Sequence, residues 1–283
     1  MIRRTIPVPA GLHPPTILRM LGSHALPGAE VHDAAAGSHR RLLMLGHGPV
    51  DVTIWPKQDR VEVASTAPEA AWPELEARIR FWLDLDCDLA VIDEHLARDP
   101  LLAPLIEARP GLRMIRKPES FEGAVMTILG QQVSLARGSA LGGMLLAAYG
   151  IHGPGGLLRF PTAAELADVP TEELRATLRL TTVRGTAVAS LAGAVSRGLQ
   201  LGPGHDPIAA REELLRLPGI GPWSADYMLV RIFGEQDAFT PTDLVLRRAL
   251  GNPTPAQALA SAEKWRPWRA YALAHLWAEA GYK

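Results

Sequence analysis

The chain has 283 residues, 47% of them hydrophobic, and a formal net charge of −1. That length holds one large domain or two to three modest ones around an ordinary core, and the near-neutral balance gives no sign of a non-specific nucleic-acid binder, which would be basic. The lone cysteine, Cys87, excludes an intrachain disulfide and any metal centre built on several thiolates.

The opening "MIRRTIPVPAGLHPP" has two arginines with no apolar run behind them, so it does not read as a signal peptide. No later stretch approaches the ~20 apolar residues of a membrane span. A cytoplasmic protein without membrane contact is expected. In chain order, "RTIPVP" is strand-like and "PPTILRML" is a helix with a proline start. The runs "HRRLLMLGH", "VDVTIW" and "RVEVAST" follow, separated by Gly-Pro and by Lys-Gln-Asp as a meander requires. From about residue 70 the spacing becomes helical. "EAAWPELEARIRFWLDL" is one helix, and "FEGAVMTILGQQVSLARGSALGGMLLAAYG" is two. "FPTAAELADV" opens on a capping box, Thr162 with Glu165, and "PTPAQALASAEKW" repeats it with Thr254 and Gln257. "TVRGTAVASLAGAVSRG" is a helix closed by Gly198, and "RPWRAYALAHLWAEAG" is the last one. The class is α+β: a small N-terminal antiparallel sheet domain with a helix, residues 1–70, packed on an all-α body, residues 71–283.

Several motifs fail on inspection. "DLDCD" at residues 84–88 imitates the start of a calcium loop, but the sixth and twelfth positions are Leu89 and His95 instead of Gly and Glu. Its acids then read as a solvated helix end. The nine histidines show no ligand spacing, and most read as surface or capping residues. The glycine-rich segments lack the GK[ST] of a P-loop, and no G-x-S-x-G elbow occurs.

"LPGIGPW", residues 217–223, lies between two helical patterns, "PIAAREELLRL" and "WSADYMLVRIFG". On its own it is a tight interhelical turn. The second helix presents unpaired N–H groups and a positive dipole end, a setting that accepts anions. Gly219 and Gly221 would let a phosphate approach the backbone, Ile220 would pack inward, Ser224 could add a hydroxyl, and Pro222 removes a donor without evident reason. Further on, "AFTPTDLVLRRAL" places Thr242 as an N-cap and Asp243 in the first helical turn, where a carboxylate is stabilised by the dipole. Taken singly, Asp243 has the ordinary reading of a helix starter, and Trp223, Tyr227 and Trp277 that of core aromatics.

Taken together, a helix–G-h-G–helix hairpin at about 207–234 followed by an Asp after a proline resembles the helix-hairpin-helix–GPD DNA glycosylases. The nearest likeness is to the 3-methyladenine DNA glycosylase II (AlkA) type. The resemblance runs through "WLDLDC", "ARPGLR", "FEGAVMTILGQQVS", "LPGIGPWSADY", "FTPTDLVLRRAL" and "KWRPWRAYALAHLW", from about residue 80 onward, and is looser before it. It implies a base-excision repair enzyme that acts, as a monomer, on alkylated purines flipped out of double-stranded DNA. Asp243 would stabilise the sugar cation. Trp223, Tyr227, Trp277 and Gln131 would form the base pocket, whose electron-rich rings favour a cationic base. Gly219, Gly221 and Ser224 would hold DNA. Gln132 would fill the vacated stack where relatives can carry an apolar wedge, although a polar helix terminus is an equal reading of Gln131 and Gln132. No cofactor is required. A monovalent cation, Na⁺ or K⁺, would sit on the main-chain carbonyls of Leu215, Leu217 and Ile220.

Position 223 separates two chemistries. Relatives with strand-cleaving activity carry a lysine there, and this chain has Trp223 and only four lysines, Lys57, Lys117, Lys264 and Lys283. A monofunctional enzyme using water is therefore expected. Leu244 and Ala278 stand where relatives can have aromatics, and Trp82, Trp265 and Trp268 read as core. Two other readings stay open: a non-catalytic DNA-binding module that keeps the hairpin, and a glycosylase for deaminated or oxidised bases.

Overall fold

The structure, a computed structural model, describes residues 1–280. The strands are β1 (Ile2–Pro7), β2 (Glu30–Asp33), β3 (Ser38–Leu45), β4 (Gly48–Pro56) and β5 (Arg60–Ser65), with α1 (Pro14–Ser23) after β1. They form an antiparallel sheet in the order β1-β5-β4-β3-β2. The three runs read as a meander are β3, β4 and β5. Their first turn is Gly46-His47 instead of Gly-Pro, because Leu45 pairs with Gly48 and the proline lies inside β4. β2 was not anticipated: four residues of mixed polarity carry too little alternation to stand out. α1 starts as expected on two prolines, with the His13 side chain accepting from the Thr16 amide.

The helices that follow are α2 (Trp72–Leu83), α3 (Leu89–Leu96), α4 (Ala103–Ala108), α5 (Ser120–Leu129) and α6 (Leu135–Tyr149). A two-residue strand pair, β6 (Ile151–His152) and β7 (Leu158–Arg159), leads to α7 (Ala163–Ala167), α8 (Thr171–Leu178) and α9 (Thr182–Ser196). Then come α10 (Pro207–Arg216), α11 (Pro222–Met228), α12 (Leu244–Ala249), α13 (Pro255–Ser261) and α14 (Arg269–Ala280). Both anticipated capping boxes are present, at Thr162 and Thr254. Gly281, expected to end the last helix, and Lys283 lie outside the described residues.

Two cores organise the chain. One joins the inner face of the sheet to α1, α2, α3 and α14, with Trp72, Trp82, Trp265 and Tyr271 among its largest buried members. The other joins α5, α6, α8, α9, α10 and α11 through Val125, Ile128, Leu145, Leu191, Leu214 and Met228. The packing therefore runs continuously across residues 70 and 71, and the C-terminal segment returns to the core of the sheet. Every residue from Ala270 to Ala278 is buried, so α14 is apolar on all sides and serves as a core helix. The sheet is fastened to α5 by ions: Arg41 of β3 donates to Glu122 at 2.8 and 2.9 Å and to Glu30 at 2.5 Å, and the Met44 amide donates to Glu119 at 2.9 Å.

One expectation fails here. Asp84 is buried, not solvated: it closes α2 with φ 55° and pairs with Arg116 at 2.6 Å. Of the nine histidines only His39 and His275 are buried, the former beside Glu30 and the latter inside α14.

Candidate active site

A cleft of about 1360 Å³ opens between the two cores. The turn between α5 and α6, the start of α9, the hairpin, α12 and α14 all contribute to its lining. Asp243 lies within it and is only 6% exposed. The structure corrects its local role: Asp243 is itself the N-cap of α12, its Oδ1 accepting the Leu246 amide at 2.9 Å, while Thr242 is exposed beside it. The same carboxylate accepts from two indoles, Trp223 Nε1 to Oδ2 at 2.9 Å and Trp277 Nε1 to Oδ1 at 3.1 Å. Three donors thus fix both oxygens, each bond to a charged group being worth about 1.5–3 kcal/mol. A plain helix starter needs one such bond.

The anticipated aromatics meet. Trp223 and Tyr227, four residues apart on α11, stack with centroids 5.2 Å apart, and Tyr227 meets Trp277 of α14 at 5.6 Å and 44°. Arg231 follows Tyr227 in the π-turn Leu229–Phe233 that extends α11, reaching its hydroxyl at 3.3 Å and its ring centroid at 5.6 Å. Leu244 lines the cleft and is exposed, whereas Ala278 is buried in the core. Trp82 and Trp265 are core residues as read, and Trp268 is partly buried against that core, its ring 6.2 Å from Tyr271.

The hairpin forms as predicted, with Ile220 buried between exposed glycines. The two glycines do different work. Gly219 has φ 80°, and a Cβ there would lie 2.8 Å from Ala187 Cβ and 2.9 Å from the Val183 carbonyl. It is needed for packing on α9. Gly221 has ordinary φ of −99°, and a Cβ there would meet nothing within 4 Å. Its carbonyl accepts the Ala225 amide at 3.1 Å, but no internal packing requires that it lack a side chain, which leaves the face toward the cleft. Pro222 falls at the first position of α11, where its missing N–H costs no helical bond.

Gln131 and Ser224, both at the cleft, engage each other. Gln131 Nε2 donates to the Gly219 carbonyl at 2.9 Å and to Ser224 Oγ at 2.8 Å, and Ser224 is 2% exposed. Ser224 therefore braces the turn against the hairpin, its hydroxyl engaged by Gln131. Gln132 is exposed at the tip of that turn, in the left-handed region with φ 53°. Such backbone costs about 1–2 kcal/mol for a residue with a Cβ, and positions of this kind gather at functional sites. Arg184, which the sequence did not single out, donates to the Gln131 carbonyl at 2.5 Å and lines the cleft. Its capping neighbour Thr181 was the readable signal. Lys117 and His24 also line the cleft and carried no local signal.

A helical body split by a cleft, a G-h-G hairpin on its lip and a buried aspartate gripped by two indoles are the arrangement that the resemblance to helix-hairpin-helix glycosylases implied. The AlkA N-terminal domain model matches residues 5–118. An Escherichia coli protein described as DNA-3-methyladenine glycosylase 2 is 34% identical over 78% of this chain and 76% of its own length. A Mycobacterium tuberculosis protein described as "Probable bifunctional transcriptional activator/DNA repair enzyme AlkA" is 38% identical over 91% of this chain, and the chain spans about half of that relative, 53%. A solved 3-methyladenine DNA glycosylase from Archaeoglobus fulgidus superposes with a TM-score of 0.84 at 20% identity, covering 99% of this chain and 98% of that one. The chain belongs to the AlkA family of DNA-3-methyladenine glycosylase 2 proteins. Among the described residues no helix is long and apolar enough to cross a membrane.

Proposed function

We propose that this chain is a DNA glycosylase that removes alkylated purines of the 3-methyladenine type from duplex DNA by hydrolysing the N-glycosidic bond. The observation that carries the reading is the Asp243 carboxylate, fixed on both oxygens and buried beside a wall of three aromatic rings. As the bond to the base lengthens, the sugar becomes positively charged. An anion already oriented in a water-poor cleft stabilises that charge without reorganising. The rings of Trp223, Tyr227 and Trp277 give a cationic base a favourable surface, worth about 0.5–2 kcal/mol per contact.

The hairpin supplies the DNA contact through the Gly221 backbone, and Gln132 at the tip of its strained turn enters the space the base vacates. A monovalent cation at the hairpin fits the backbone: the Leu215 carbonyl is among the last four of α10, and Leu217 has left the helix with ψ 132°. With the Ile220 carbonyl these would hold it, adding positive charge beside a phosphate. The reaction is monofunctional and the protein acts as a monomer. Trp223 stands where a Schiff-base lysine would be required, and the lysine that lines the cleft, Lys117, adjoins Arg231, behind Tyr227.

The test is incubation with methylated duplex followed by analysis of released bases and of strand integrity. Free methylated purine with strands that break only after alkali is expected. Strand breaks before alkali, or a borohydride-trapped adduct, overturn the monofunctional mechanism, and no released base overturns the whole reading.

A further inference from the structure

Duplex DNA carries one negative charge per about 1.7 Å of its axis, and the chain that would hold it has a net charge of −1. The mouth of the cleft does not make up the difference. Among the described residues that line the cleft, Lys117 and Arg184 are half-buried, Arg231 is buried, and Arg248 is the one exposed cation. Arg184 is engaged with the Gln131 carbonyl at 2.5 Å, and the Lys117 amide is bonded to the Arg231 carbonyl, behind Tyr227.

The mouth is apolar instead. Leu135, Val183 and Leu244 all line the cleft, and they are 45%, 65% and 59% exposed. Each stands in the first turn of a helix. Leu135 opens α6 after the Ser134 cap, Val183 is the second residue of α9 after the Thr181 cap, and Leu244 opens α12 after Asp243. Helical side chains lean toward the N-terminus. In a first turn they therefore overhang the helix end, with no earlier turn to cover. The three helix ends are tied together around the hairpin. Val183 Cγ1 lies 3.3 Å from where a Cβ would stand on Gly219, Arg184 joins the start of α9 to the turn before α6, and Trp223 of α11 bonds the Asp243 cap of α12. None of these three first turns contains Asp or Glu, which a helix start favours and a phosphate would repel.

Exposed apolar side chains grouped at one opening gain free energy when apolar surface covers them. Outside the base stack, that surface on a duplex is the deoxyribose, whose carbons wall the minor groove. We infer that Leu135, Val183 and Leu244 form a rim that seats the deoxyribose edge of the duplex around the extruded nucleotide, so that DNA is gripped mainly by apolar contact and little by ion pairs. The inference rests on the glycosylase reading above and adds to it the part of the substrate that is gripped. Leu244, next to Asp243, lies nearest the sugar that loses its base. Val183 lies beside the hairpin, and Leu135 follows the turn that presents Gln132. A near-neutral protein can then hold a polyanion, because few counterions need to be displaced from it.

The experiment measures affinity of the whole chain for a duplex with one tetrahydrofuran abasic site, by anisotropy between about 50 and 200 mM salt. Release of 7-methylguanine from a second duplex is recorded on the same preparation. Each ion pair contributes roughly −0.9 to the slope of log affinity against log salt. Counting Arg184 and the exposed Arg137 in the first turn of α6 together with Arg248, the wild-type slope is expected to be no steeper than about −3. Leu135→Asn, Val183→Thr and Leu244→Asn keep the size of each side chain and make it polar. They are expected to weaken binding roughly two- to fivefold singly and at least about tenfold together, with the slope unchanged within about one unit. Their urea midpoints are expected to match wild type, since all three sites are exposed. Arg248→Gln is expected to flatten the slope by about one unit. A wild-type slope steeper than about −3, or a folded triple variant that loses less than about tenfold in affinity, overturns the inference while the glycosylase reading stands. A wild type that releases no 7-methylguanine overturns that reading itself.

Discussion

Replacing each hairpin glycine by alanine separates packing from DNA contact. At Gly219 the new Cβ would sit 2.8 Å from Ala187 Cβ and 2.9 Å from the Val183 carbonyl, on a residue with φ 80°. Left-handed backbone with a Cβ costs about 1–2 kcal/mol, and overpacking adds typically 1–3 kcal/mol. Gly219→Ala is therefore expected to lose roughly 2–5 kcal/mol of stability, enough to shift a urea transition visibly. At Gly221 the backbone is ordinary and no atom lies within 4 Å of the new Cβ. Gly221→Ala is expected to be neutral, or to gain up to about 1 kcal/mol through the unfolded chain. Its effect should fall on DNA, because the methyl group enters the space where a phosphate approaches. Urea unfolding followed by tryptophan fluorescence, beside anisotropy binding to an abasic-site duplex over a salt series, reads both quantities. Binding should weaken with salt in wild type and variant alike. A Gly221→Ala protein that binds as tightly as wild type, or that unfolds more than 1 kcal/mol earlier, refutes the division of labour.

Trp223→Phe keeps the stack on Tyr227 but removes the donor to Asp243 Oδ2; a bond worth about 1.5–3 kcal/mol predicts excision slowed roughly ten- to hundredfold, and an unchanged single-turnover rate contradicts it. His275 is pushed down to about 4, first by burial and then by Arg109. Between pH 6.5 and 4 the unfolded chain then binds the extra proton, so this stability is present above 6.5 and lost as pH falls, amounting to about 3 kcal/mol at most. A His275→Leu variant should show a flatter fall in urea midpoint over that window than wild type, and identical slopes would refute the assignment.

Local signals in the sequence carried much of the architecture. The caps at Thr162 and Thr254, the proline start of α1 and the G-h-G hairpin each write their structure into three or four adjacent residues. Asp243, Trp223 and Trp277 were named through the family resemblance, and their mutual hydrogen bonds belong to the fold. What stayed hidden depends on distant segments. β2 is defined by its pairing with β3 more than by its own four residues. Asp84 looked solvated because Arg116, its partner, stands 32 positions later in the numbering. Ser224 looked free because Gln131, which engages it, stands 93 positions earlier in the numbering. Lys117 gains its setting from Glu122, five positions on, and from Glu30 and Arg231, which only the fold brings near.

The central claim rests on the charge of one carboxylate. Asp243→Asn keeps the size of the side chain and removes that charge, while its amide turns a donor toward a pair of indole donors. Single-turnover release of 7-methylguanine from a defined duplex is the decisive measurement, with abasic-duplex affinity and urea midpoint recorded on the same protein. The account predicts release slowed roughly a hundredfold or more, with the protein still folded and still binding DNA. A folded Asp243→Asn protein that releases the base as fast as wild type contradicts it.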